Sequence, residues 1–74
     1  MAETSGIDWI EAFAEAADAE APDEEQIARL LKLASVAAHS SERIAAPIAC
    51  WIAGSAGIEA ERAIEIAESL AGDA

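Results

Sequence analysis

His39 is the only histidine in the chain, and catalytic use of it would need a nucleophile, a partner acid or a proton-accepting geometry around the ring. Ser40, Ser41 and Glu42 follow it directly, but adjacency in sequence does not bring side chains face to face. The alternative role is structural, since an imidazolium at a helix C-terminus suits the negative end of the dipole and can bond a free carbonyl. A metal site needs more ligands than one histidine. The Glu-x-x-His pair used by carboxylate-bridged di-iron bundles is missing, because Val36 stands three residues before His39. These residues imply no catalytic group, no metal ligand set and no cofactor.

Arg43 is the cation with the most chemical promise. It lies just before an apolar helical segment whose first turn holds Pro47, so backbone N–H groups and the helix dipole there could join the guanidinium around a phosphate or a carboxylate. The competing role is a tether, with Arg43 paired to Glu42 or to an acid of the last segment. There is neither a Gly-rich P-loop nor a G-x-G-x-x-G turn to support nucleotide binding. Trp9 and Trp51 have the chemistry of interface anchors. Trp51 is expected in the core; Trp9, between Asp8 and Ile10 at the edge of an apolar stripe, marks a contact surface if it is exposed. His39, Arg43, Pro47 and Trp9 are thus the candidate ligand or partner contacts.

Four helical segments position these residues, because apolar side chains recur at helical spacing and strand-like alternation is absent. The first, about 7–19, sets Ile7, Ile10, Phe13, Ala14 and Ala17 against Asp8, Glu11, Glu15 and Asp18. Pro22 and Asp23 open the second, with Asp23 as cap, Gln26 three residues on, and Glu24 and Glu25 at the positive dipole end. Its apolar stripe comprises Ile27, Leu30, Leu31, Ala34, Ala37 and Ala38, and it ends near Ser40 or Ser41.

Pro47 is tolerated only in a first turn, so the third segment starts between residues 45 and 47. No charge occurs anywhere in residues 44–58, and a helix apolar almost all round is expected at the centre of its domain. A row of small residues, Ala46, Ala49 or Cys50, Ala53, and Gly54 or Gly57, is expected to admit a neighbouring helix closely. Gly57 is the expected left-handed C-cap, and a fourth segment follows over about 58–71, with Ala60, Ala63, Ile64, Ala67 and Leu70 inward. The fold class is therefore all-α, a single small four-helix bundle over residues 1–74 with a central apolar third helix.

A core of this size supplies only about 3–5 kcal/mol. The lone Cys50 excludes an intramolecular disulfide and suits a buried thiol in a reducing compartment, which points to a cytoplasmic site. Nothing near the N-terminus has the pattern of a secretory signal, and residues 44–58 are too few to span a bilayer. Fifteen acidic side chains against four basic ones give a formal net charge of −11, which repels phosphate backbones and anionic membranes. Neither nucleic acid nor a membrane is an expected partner.

Residues 30–57, LLKLASVAAHSSERIAAPIACWIAGSAG, resemble the signature of a small actinobacterial helical domain family of uncharacterised function. The matching features are Asp8 and Trp9; Leu33, Ala34, Ala38 and His39; Arg43, Ala45, Ala46 and Pro47; and Gly54 with Gly57. The chain departs from the family pattern at Ala49 and Cys50, where hydroxyl residues are common, and at Ile44, where proline is common. Domains of that family occur alone or attached behind a molybdenum cofactor guanylyltransferase, the enzyme that joins GMP to molybdopterin. The resemblance implies a non-catalytic accessory or regulatory role in molybdopterin guanine dinucleotide synthesis, with that enzyme as partner. The alternative expectation is a generic acidic protein–protein interaction module, a homodimer through the first and third helices, unrelated to molybdenum.

Overall fold

A computed structural model describes residues 5–72, which form four helices in the order α1 (Gly6–Ala16), α2 (Glu24–Ser40), α3 (Ala45–Ala56) and α4 (Ala60–Ala71). The fold is all-α, and its boundaries follow local chemistry. Ser5 caps α1 by accepting from the Asp8 N–H at 3.0 Å, and Asp23 caps α2 by accepting from the Gln26 N–H at 2.8 Å. Pro47 falls in the first turn of α3. Gly57 at φ 71° and Gly72 at φ 80° end α3 and α4 in the left-handed conformation that lacks a Cβ penalty. Two ends lie inside the sequence-based ranges. Asp18 turns left-handed (φ 60°) and the Ala19 N–H closes on the Ala14 carbonyl at 2.8 Å, so α1 stops at Ala16. Glu59 takes the extended cap position, so α4 begins at Ala60.

α2 is the shared helix: it packs against both α3 and α4, whereas α1 makes no comparable contact with any of them. The core is correspondingly small. Leu33 of α2, only 2% exposed, meets Ala53 of α3 and Ala63 of α4, with Cys50, Ile58, Ile64 and Ala67 packed around them. Alanine on two of the three helices lets their backbones close around a single leucine. Lys32 reaches Glu68 across the α2–α4 contact at 4.0 Å, an exposed pair that contributes little.

This arrangement corrects the expectation of a central third helix. A helix about 10 Å across needs neighbours on every side to be buried, and α3 has a partner only on the side facing α2. Ile44 (70% exposed), Ile48 (56%) and Trp51 (69%) therefore lie in solvent along its outer face. Trp51 is not a core residue. Two inward assignments also change: Leu31 and Leu70 are exposed, and the buried leucine of α2 is Leu33. The row of small residues is used only in part. Ala53 is buried, but nothing lies within 4 Å of a Cβ placed at Gly54.

The two glycines of α3 should therefore respond oppositely to alanine. Gly54→Ala adds a side chain to open space in a helix and should raise stability by about 0.4–1 kcal/mol. Gly57→Ala forces a Cβ into the left-handed region and should cost about 1–2 kcal/mol. Urea denaturation of both variants checks this, and a gain at Gly57 would contradict the cap geometry.

Candidate functional site

The last turn of α2 and the loop to α3 hold His39, Ser40, Ser41, Glu42 and Arg43. His39, in the last turn of α2, donates from Nδ1 to the Ser35 carbonyl at 2.8 Å and lies 3.2 Å from the Ser35 hydroxyl. Ser40 donates to the Val36 carbonyl at 2.8 Å, and Ser41 donates to the Ala37 carbonyl at 3.2 Å while accepting from the Glu42 N–H. These bonds fold the side chains back onto carbonyls of the last turns of α2, in addition to the helix's own backbone ladder. His39 thus has a structural role, and among the described residues no hydrogen bond joins it to Ser40 or Ser41.

Arg43 is exposed and makes no ion pair among the described residues, whereas Arg29, Lys32 and Arg62 each pair with a glutamate. The tether to Glu42 or to an acid of α4 is therefore not formed. The expected anion site at the start of α3 is also poorly furnished. The Ala45 and Ala46 N–H groups already donate to the Glu42 and Arg43 carbonyls, at 2.9 and 3.1 Å, and Pro47 has no N–H to give. His39 borders a shallow recess with Val36 and Glu68, and a separate recess next to it involves Ser41, Glu42, Ile44 and Ile48. Pro47 is exposed on α3. The four candidate contacts do not converge on one pocket: Trp9 lies on α1, where its ring stacks on Phe13 at a centroid distance of 5.3 Å.

Two apolar surfaces replace that corner. One is the outer row of α3, Ile44, Ile48 and Trp51, with Arg43 at its head. The other is a groove of about 500 Å³ floored by Leu33 and Ala37 and walled by Ala49 and Ile52 of α3 and Ile66 and Leu70 of α4. Helical spacing places residues 44, 48 and 51 on one stripe whichever way α3 faces, but it gave no sign that the stripe lies in solvent, and the sequence placed it in the core. The groove could not be found that way, as it depends on how three helices meet.

Cys50 is a free thiol, half-buried between α3 and α2, with its sulfur 3.9 Å from the Leu30 carbonyl. Burial pushes its pKa above the ordinary 9.0. The fold favours the protonated thiol, so this small contribution to stability is present below pH 9 and is lost as pH rises beyond it. Such a thiol is a packing group, with low nucleophilicity at neutral pH. Among the described residues no three His, Cys, Asp or Glu side chains are placed to hold a metal ion, and no helix is long and apolar enough to cross a membrane.

Comparison with protein families matches residues 2–74 to a domain of unknown function (DUF6457). The chain belongs to the DUF6457 family. No curated protein and no solved structure matches it. The family assignment covers all four helices, and with it both apolar surfaces.

Proposed function

We propose that this DUF6457 domain is a non-catalytic accessory module that docks on a protein partner through the outer face of α3. The observation that carries the reading is the exposed row Ile44, Ile48 and Trp51, headed by an Arg43 that pairs with no acid among the described residues. Tryptophan and arginine are the residues most enriched among interface anchors, and three large side chains in one row offer a helix-sized apolar strip. Arg43 gives that strip a positive end on an otherwise acidic surface, suited to a carboxylate at the edge of the partner's site.

The partner we assign is the molybdenum cofactor guanylyltransferase, on the strength of the resemblance carried by the Leu-Ala-x-x-x-Ala-His and Arg-x-Ala-Ala-Pro segments, residues 33–39 and 43–47. In this role the domain acts in molybdopterin guanine dinucleotide synthesis in the cytoplasm and supplies no reacting group. Isothermal titration of the guanylyltransferase with this protein should give saturable one-to-one binding, and Ile48→Asp, at an exposed position, should abolish it while leaving the circular dichroism spectrum unchanged. Absence of binding by the wild-type domain would remove the molybdenum assignment. Binding that Ile48→Asp leaves intact would move the contact away from α3.

A further inference from the structure

An amphipathic helix without a partner and an apolar groove without an occupant occur in the same chain. α1 has eleven residues, fewer than the roughly 12–15 an isolated helix needs to persist in water. Its large apolar side chains nevertheless stay largely in solvent: Ile7, Trp9 and Phe13 are exposed, with Trp9 and Phe13 one turn apart on the same side, and Ala14 is its only buried residue. The groove between α3 and α4 exposes Ile52, Ile66 and Leu70 above a floor of Leu33 and Ala37. The two lengths agree, since eleven residues of helix span about 16 Å and the twelve-residue walls of the groove about 18 Å.

We infer that the groove of each molecule receives α1 from a second copy of this chain, with the stacked Trp9–Phe13 pair as anchor, to give a reciprocally swapped dimer. The chain conformation favours a second copy over closure on its own groove. α1 extends away from the three-helix unit, so the molecule measures 46 × 28 × 20 Å, and its radius of gyration is 13.5 Å where a compact domain of this length has about 11 Å. The connection over residues 17–23 contains the left-handed Asp18 and Pro22, whose φ its ring sets, and a connection that holds an element off its own core favours exchange between copies. Helix-in-groove docking needs anchors at helical spacing and an apolar trough, which these two surfaces supply. The acids opposite the anchors, Glu11 and Glu15, remain in solvent.

Sedimentation equilibrium across a micromolar range tests this directly. The wild type should be a dimer that tightens as salt rises, because each copy carries a formal charge of −11 and screening relieves the repulsion between copies. Phe13→Asp and Leu70→Asp, at exposed positions on the helix and on the groove, should each raise the dissociation constant by about 30-fold or more while keeping the helical circular dichroism spectrum. Trp51→Ala, on the outer face of α3 and directed away from the groove residues Ala49 and Ile52, should leave the dimer intact. In a sample mixing labelled and unlabelled copies, isotope-filtered spectra should show contacts between the Phe13 ring of one and the Leu70 methyls of the other. A monomer at all concentrations, or a dimer lacking those contacts, would overturn the inference.

Discussion

Leu33→Ala should leave most of the protein unfolded at room temperature. Among the described residues Leu33 is the one large side chain that the fold buries; the other buried residues, Ala14, Ala37, Ala53, Ala60 and Ala63, have little more to lose. Truncating a buried leucine costs about 2–5 kcal/mol, against a core that supplies roughly 3–5 kcal/mol in a domain of this size. The wide contact of Leu33 with α3 and α4 puts the loss toward the upper end, since alanines on both sides cannot swing in to fill the space. Leu31→Ala is the matched control. Leu31 belongs to the same helix but is 66% exposed, so its truncation should stay within about 0.5 kcal/mol. Urea denaturation followed by circular dichroism, at one protein concentration, compares the two. Equal losses would mean that α2 faces its neighbours with a different side.

The same pair shows what the sequence does and does not disclose. Boundaries were legible because they are set by local chemistry: the Asp23 carboxylate on the Gln26 N–H, Pro47 in a first turn, and Gly57 and Gly72 at positive φ need no distant partner. Facing is not local. Leu31 and Leu33 project about 160° apart around the helix axis, so only one can point into a shared core, and the choice is made by the shapes of α3 and α4. Ala53 and Ala63 form a close-approach surface that takes one leucine, and Leu33 is in register with it. The sequence-based stripe held Leu31, and the register went the other way.

The candidate site divides in the same manner. The structural role of His39 was readable from its position at a helix end, where the Ser35 carbonyl is within reach. The anion-binding role of Arg43 was not decidable, because it depends on whether the first N–H groups of α3 are free. The turn over residues 42–46 uses two of them internally. Absence of charge in residues 44–58 suggested burial, yet it is equally the composition of a helix with one side in the core and another reserved for a partner. With only three other helices, one of them detached, the domain cannot enclose α3.

Trp51→Ala separates these two meanings of an uncharged helix. If Trp51 were at the centre of the bundle its loss would cost about 3–5 kcal/mol and abolish folding. At 69% exposure it should instead change stability by no more than about 0.5 kcal/mol. The effect belongs to binding: a tryptophan anchor in a docked interface typically contributes about 2 kcal/mol or more, so affinity for the guanylyltransferase should fall by about 30-fold or more. Thermal melting and calorimetric titration of a single variant therefore give a paired result, a nearly unchanged melting temperature with a large loss of affinity. Trp51→Phe should recover part of the affinity, because a flat apolar ring remains in the row. The opposite pairing, collapse of the fold with binding unaffected in the residual folded fraction, would place α3 back at the centre and remove its outer face as the docking surface.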